Sequence, residues 1–345
     1  MKKLSFLKQK NMVRVLYALA PVFIASIYYF GWRSAVILAV SVAFALATEW
    51  IMAQRKNGKV SYACFVTASL YALSLPPTTP FWIVASGVII AILFGKEAFG
   101  GFGKNIFNPA IVGRAFVYVA FPIELTARFV PVFRGFPGGF ARWSFESMTI
   151  PPQQLAGPGL SVADAVSAAT PMWANRDFEF TADVWSLFVG NIGTTFEYAG
   201  QTMALCAGSL GEVSAILIIL AGLYLIWTKT AQWRLTVATL AGALVASIVF
   251  RYLFGIQRVP TPLFSLFSGA LMYAAVFMVT DPVSAPKVKL SHWIYGAFIG
   301  IMIVFFRYNS IFAGGVGFSI LLGNMLAPSL DLWIKRYQKR KQKAA

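Results

Sequence analysis

Long apolar stretches separated by short polar or basic connections set the pattern of this chain. Runs such as Ala35–Met52, Trp82–Phe94, Val213–Trp227, Leu235–Val249 and Leu263–Thr280 approach or reach the ~20 residues a helix needs to cross the hydrocarbon core of a bilayer. Followed in order, the pattern predicts spans near 13–31, 35–52, 61–75, 80–95 and 107–121. A long polar segment follows, and then spans near 213–227, 235–255, 263–280, 293–306 and 311–330. The region 186–205 is apolar enough to dip into a membrane without crossing it. The expected fold is an all-α polytopic membrane protein with about ten transmembrane helices. Its expected parts are a first membrane block over 1–121, an external loop over 122–212, a second block over 213–330 and a basic cytoplasmic tail over 331–345.

Composition agrees with that reading. Of the 345 residues, 58% are hydrophobic and only 12% are charged, far from a soluble domain. The net charge of +17 would suit a nucleic-acid binder, but its distribution does not. All 15 lysines lie in Lys2–Lys10, Lys56–Lys59, Lys96–Lys104, Lys229, Lys287–Lys289 and Lys335–Lys343. Between Pro122 and Glu212 there is no lysine, whereas eight of the 12 acids fall there. That asymmetry is the positive-inside pattern. It places both termini in the cytoplasm and the 122–212 loop outside, with lipid and not nucleic acid as the surrounding partner. The first span follows a basic segment, Met1–Lys10, with no A-x-A-like cleavage site after it, so a retained helix is expected.

The two membrane blocks share local patterns. Ala68-Ser69-Leu70-Tyr71-Ala72, Pro76-Pro77, a span and Gly100-Gly101-Phe102-Gly103 lead to Asn108-Pro109 in the first. Ala270-Leu271-Met272-Tyr273-Ala274, Asp281-Pro282, a span and Gly314-Gly315-Val316-Gly317 lead to Asn324 and Pro328 in the second. Five spans per block would make the halves inverted repeats, and Gly/Pro-interrupted segments at matching places point to broken helices around a midplane site. Close helix packing would use the same glycines, and the pattern leaves both readings open.

The polar loop carries Asp164-Ala165-Val166-Ser167-Ala168-Ala169-Thr170. This resembles the flavin-attachment motif Asp-x-x-Ser/Thr-Gly-Ala-Thr, whose last threonine hydroxyl a transferase esterifies with the phosphate of FMN. Ala168 stands where the motif has glycine, which is tolerable if the backbone there keeps negative φ. Short Ala/Ser/Thr runs occur in many loops, so the heptad alone does not decide. The stretch from Gly95 through Lys96-Glu97-Ala98-Phe99-Gly100-Gly101-Phe102-Gly103-Lys104-Asn105 to Asn108-Pro109-Ala110 and Gly113-Arg114-Ala115-Phe116 resembles the signature of the NqrB/RnfD family. Further matches are Phe65-Val66-Thr67, Gly208-Ser209-Leu210-Gly211-Glu212-Val213-Ser214, Trp233-Arg234, Thr280-Asp281-Pro282-Val283-Ser284 and Leu322-Gly323-Asn324-Met325-Leu326-Ala327-Pro328. They fall in the family's order from about 60 to 335. Two departures stand out: a shorter N-terminus than NqrB, and Thr194–Ala207, which looks inserted.

The resemblance implies a membrane component of an ion-translocating electron transport complex, the sodium-pumping NADH:quinone reductase or the Rnf complex. It implies FMN in phosphoester linkage to Thr170, with Asp164, Ser167, Ala168 and Ala169 completing the attachment motif. It also implies a flavin transferase and other complex subunits as partners, and Na⁺ or H⁺ as the moved ion. A second, non-covalent flavin (riboflavin) or a quinone is expected near the helix breaks, with Gly100, Gly101, Gly103, Asn105 and Asn108 as candidate residues.

Other chemistry is thinly represented. Cys64 and Cys206 are too far apart in sequence for a CxxC cluster, and His292 is the only histidine, so a bis-His haem within the chain is excluded. No Walker loop or dinucleotide fingerprint is present, so NADH is expected to be oxidised elsewhere. The acids near apolar spans are Glu49, Glu97 and Asp281. Glu49 is expected at the cytoplasmic surface beside Arg55, and Glu97 at the interface beside the glycines. Asp281 is a candidate for an ion path or for a turn before Pro282. The rival readings are a solute transporter or channel with no redox role, and a scaffold that anchors flavoprotein partners. Neither needs a flavin on Thr170.

Overall fold

The computed structural model describes residues 5–56, 58–126, 128–144, 168–192, 194–198, 201–309 and 315–344. Its first block holds α1 (Lys10–Phe30), α2 (Arg33–Arg55), α3 (Ala63–Leu73), α4 (Phe81–Gly95) and α5 (Pro109–Ala120), followed by the short α6 (Pro122–Thr126). The intervening segment carries α7 (Pro171–Phe178) and α8 (Val184–Val189). The second block holds α9 (Ala215–Trp227), α10 (Trp233–Ile248) running into a π turn over Val249–Leu253, and α11 (Pro262–Phe267). It ends with α12 (Leu271–Tyr273), continued by a π turn over Ala274–Met278, then α13 (Lys289–Asn309) and α14 (Gly315–Ala344).

Six of these helical stretches are long and apolar enough to cross a membrane: Lys10–Phe30, Arg33–Arg55, Phe81–Phe99, Trp233–Leu253, Lys289–Asn309 and Gly315–Lys343. The chain is a mostly helical, multi-pass membrane protein. The remaining sequence-expected spans coincide with the shorter apolar helices α3, α5 and α9 and with the interrupted segment from Pro262 to Met278. At 1.5 Å per residue the 11-residue α3 reaches only about 16 Å, half of a hydrocarbon core. Nearly every residue of α3 is buried, as expected of a helix apolar on all sides.

A short helix inside an apolar layer must find partners for its last carbonyls. Leu73 O accepts from Gly211 N at 2.7 Å and Leu75 O from Leu210 N at 3.0 Å, so the chain entering the second block caps α3. Gly211 allows this close approach: a Cβ there would stand 3.1 Å from both Leu73 Cβ and Leu73 O, a tight contact. Tyr273 of α12 donates to Leu70 O at 3.1 Å, tying the two interrupted segments together. In the first block α2 packs on α4 and α4 on α5; in the second α10 packs on α13 and α13 on α14. On α5, Gly113 sits against α4 so closely that a Cβ would lie 2.6 Å from Gly87 O, a small-residue contact of the kind membrane helices use.

The fold is not wholly α. Phe6–Leu7 (β1) pairs in parallel with Val60–Ser61 (β2), and Ala168–Ala169 (β3), Thr195–Tyr198 (β4) and Gln201–Leu205 (β5) form a sheet in the order β3-β5-β4. The 186–205 region is therefore divided between α8 and the paired strands β4 and β5. Its apolar residues Leu187, Ile192, Phe196, Met203 and Leu205 make a small core of their own with Ala174, Ala182 and Phe264, and Phe180 stacks on Phe196 at 4.6 Å. Hydrogen bonds from Trp32 N to Arg142 O, Arg33 N to Trp143 O and Phe133 N to Tyr29 O stitch this segment to the α1–α2 turn.

Candidate functional site

Two cavities stand at opposite ends of α3, α5 and the interrupted helix. The first, about 800 Å³ of atom-free space, lies on the side of the 122–212 segment and is lined by Thr170. Thr170 is not in an exposed loop, as the sequence suggested, but half-buried between β3 and α7. It is the N-cap of the eight-residue α7: its Oγ1 accepts from Trp173 N at 3.4 Å, and Pro171 follows at the first helical position. Behind it, Ala168 and Ala169 pair with Ala204 and Leu205 of β5. Ala168 is thus extended backbone and is absent from the positive-φ positions, so alanine costs nothing there where the motif has glycine. Asp164 and Ser167 lie outside the described residues.

The cavity wall beside Thr170 carries charges that sequence reading did not single out. Glu212 faces Arg114 of α5 at 4.0 Å and accepts from the Ser209 hydroxyl. Arg307 of α13 is 1% exposed and donates from Nη1 to Ser265 O at 3.3 Å and Ser268 O at 3.1 Å. Two glycines leave room along this wall. A Cβ on Gly208 would sit 2.7 Å from Glu212 Oε2 and 3.8 Å from Thr170 Cγ2; one on Gly269 would sit 3.3 Å from Arg307 Nη2 and 3.8 Å from Glu212 Oε2. Leu125, Phe129, Met172, Leu187 and Phe267 supply apolar walls. A hydroxyl at a helix N-terminus, apolar walls, the buried Arg307 and the half-buried Arg114 suit a flavin phosphate and ring. Arg114 and Glu212 did lie inside family-like motifs, and Arg307 could have been found as a lone arginine at the end of an apolar span.

The second cavity, about 710 Å³, lies on the side of the basic connections and gathers Lys96, Asn105, Asn108, Thr280 and Asp281 around Met12, Leu70, Phe102 and Phe277. Asn105 and Asn108, expected together, share this site with Asp281, which the sequence treated separately. Asn108 caps α5 through Oδ1 on Ala110 N (3.0 Å), donates Nδ2 to Met278 O (3.2 Å) and gives its own N–H to Asn324 Oδ1 (3.0 Å). Asn324 in turn donates to Tyr295 Oη at 2.6 Å. Asn105 holds Phe107 O at 2.9 Å. Asp281 accepts from Ser284 Oγ at 2.7 Å and Val283 N at 3.3 Å, so it starts a turn as well as edging the cavity. Gly100, Gly101 and Gly103 have φ of +104°, +96° and +84°. They do not line the cavity; they bend the loop after the turn at Glu97–Phe99 so that Phe102 reaches it.

Glu49 corrects its expected surface placement. It is 3% exposed, bound to Lys96 Nζ at 2.5 Å, and accepts from Ser61 N and Oγ at 2.7 and 2.8 Å. Lys96 Nζ also reaches Ser61 Oγ at 2.6 Å. The pair joins α2, β2 and the end of α4 with its hydrogen-bonding needs largely met, the condition under which a buried ion pair is tolerated. The sequence missed it because its partners are 47 positions apart. Glu97 is buried with Lys56 at 2.9 Å, and Lys56 itself remains exposed.

Comparison with known proteins follows the same lines. The sequence model of the NQR2, RnfD, RnfE family matches residues 5–340. The D subunit of the ion-translocating oxidoreductase complex of Actinobacillus succinogenes is 30% identical over 342 residues, covering 95% of this chain and 93% of that one. The D subunit of the same complex from Vibrio cholerae strain O395 is 34% identical over 335 residues, with 93% and 92% covered. The B subunit of the Na(+)-translocating NADH-quinone reductase of Pseudoalteromonas atlantica is 32% identical over 310 residues, covering 88% of this chain and 68% of that protein.

Proposed function

The chain belongs to the NQR2, RnfD, RnfE family, and from that premise we propose that it is the flavin-bearing membrane component of a redox-driven ion-translocating complex, with FMN esterified to Thr170. The observation that carries the reading is the placement of Thr170, a hydroxyl held by β3 on one side and α7 on the other at the edge of a cavity lined by Arg114 and the buried Arg307.

When bound, the flavin supplies the electron-transfer chemistry. The chain's own residues hold and surround it. A phosphoester on Thr170 Oγ1 would sit at the N-terminus of α7, where the helix dipole favours an anion. The apolar walls exclude water from the ring, and tethering fixes its distance to the next carrier. The second cavity is the proposed place for a non-covalent flavin or a quinone, with Asn105 and Asn108 as its amide donors and the glycine loop presenting Phe102. Asp281, at the edge of that cavity, is the proposed acid on the route of Na⁺ or H⁺. The two interrupted segments support an inverted-repeat architecture. The topology proposed is both termini in the cytoplasm and the Thr170 side of the inner membrane facing out, where a flavin transferase and partner subunits meet it.

Inverted repeats with broken helices also describe transporters, and the flavin separates the two. Co-expression with a flavin transferase should give a chain that fluoresces as a flavoprotein in a denaturing gel. A dark wild-type band in the presence of active transferase would leave the transporter reading instead.

A further inference from the structure

α14 does not stop where its apolar sequence does. It runs as one 30-residue helix from Gly315 to Ala344, and its last ten positions carry six basic residues. No acid follows Asp331 in the chain. Lys335 has Asp331 as a charge neighbour one turn back, and Asp331 already accepts from Lys287 N at 2.7 Å and Val288 N at 3.2 Å. The basic residues beyond it are all exposed.

These charges are not spread evenly round the helix. With 3.6 residues per turn, Lys335, Arg336, Lys339, Arg340 and Lys343 fall within an arc of about 140°, and Lys341 points to the other side. Read back toward the apolar part, the same side of α14 holds Leu322, Met325, Leu332 and Trp333, all exposed. Asn324, Ala327 and Ile334 are buried on the opposite side, so the phase carries through Pro328. Two markers give the depth. From Gly315 to Trp333 the helix rises about 27 Å, close to the thickness of a hydrocarbon core. Independently, the Asp331 bonds set that residue level with the start of α13, whose exposed apolar residues begin at Leu290. The hydrocarbon thus ends near Trp333. The first charges beyond it enter the headgroup layer, and the long Lys and Arg stems let the last ones reach back to it.

We propose that Lys335, Arg336, Lys339, Arg340 and Lys343 form a binding face for the phosphates of anionic phospholipids, in the leaflet from which α14 emerges. The order along this one face is apolar, then Trp333, then basic, which is the order of hydrocarbon, interface and headgroup in a bilayer. An acidic protein partner would not need the basic stripe to be in phase with the apolar one. Nor would a topological signal, for which six charges spread round the helix count the same. The proposal rests on α14 spanning the membrane and is independent of the flavin at Thr170.

The test places the purified complex in phosphatidylcholine vesicles with a trace of photoreactive phosphatidylglycerol or of photoreactive phosphatidylcholine. After illumination, the crosslinked lipid is mapped to the peptides of this chain. The wild-type peptide spanning 332–345 should take phosphatidylglycerol in preference to phosphatidylcholine by about threefold or more. Arg340→Gln should cut that preference by about twofold or more. Lys341→Gln, which removes the same charge from the other side of the helix, should leave it in place. Replacing Lys335, Arg336, Lys339 and Arg340 together by Gln should abolish it. Equal labelling by the two lipids in wild type would overturn the proposal, a result that needs no variant to fold. Equal losses in Arg340→Gln and Lys341→Gln would overturn it as well, leaving the charges as a topological signal. A wild-type tail that crosslinks to another subunit and not to lipid would overturn it in favour of a protein partner.

Discussion

Thr170 and the Glu49–Lys96 pair show two ways in which single residues matter in this chain. Thr170 contributes a cap on α7, so Thr170→Ala should cost about 1 kcal/mol locally and leave the fold intact. Thr170→Ser keeps a capping hydroxyl and should retain part of any flavin labelling. Lys96 and Glu49 are different, because each is buried at under 4% exposure and each is the other's charge partner. Removing one partner strands the other, so Lys96→Met should destabilise the protein by about 3–5 kcal/mol. The double variant Lys96→Met with Glu49→Leu should recover much of that loss. Melting of the detergent-purified complex would show this; equal melting of wild type and Lys96→Met would mean that the pair carries no stability.

At the scale of elements, the long helices were legible because an uninterrupted apolar run has one membrane-spanning solution. The run at 35–52 became α2 and the run at 82–94 became α4 with little adjustment. The short and broken elements were harder to read. The expected span over 61–75 is the buried 11-residue α3, whose ending depends on Leu210 and Gly211 from far along the chain. Likewise the 122–212 segment read as a polar loop, yet β5, itself paired with β4, pairs with β3 to seat Thr170. Of the candidate sites, the residue types were visible while their grouping was not: Asn108 and Asp281 meet at one cavity only through the chain's crossing. The glycine loop gives the test at this scale. Gly101 at φ +96° lies in a region that costs an L-residue roughly 1–2 kcal/mol. Gly101→Ala should leave Thr170 flavinylated and the complex assembled but slow electron transfer from reduced flavin to quinone. An unchanged rate per assembled, flavinylated complex would assign these glycines to packing alone.

For the whole molecule, the proposed function puts a tethered carrier at one end and an amide-lined cavity at the other, with α5 running between them. About 14 Å of helix separates Pro109 at the second cavity from Tyr118 at the first. The proposed sidedness rests on the lysine distribution and can be tested without a background signal, because both native cysteines, Cys64 and Cys206, are fully buried. Cysteine at the exposed Glu179 should react with an impermeant maleimide added to spheroplasts, and cysteine at the exposed Lys341 should not. The reverse pattern would place Thr170 in the cytoplasm.

The central claim is the bond at Thr170. Its most direct test is mass spectrometry of the peptide containing Thr170, from wild type and Thr170→Ala, each co-expressed with a flavin transferase. The wild-type peptide should carry the mass of FMN less one water with fragments that place it on Thr170, and the alanine peptide should be unmodified. FMN on the alanine variant, or an unmodified wild-type peptide beside an active transferase, would contradict that claim.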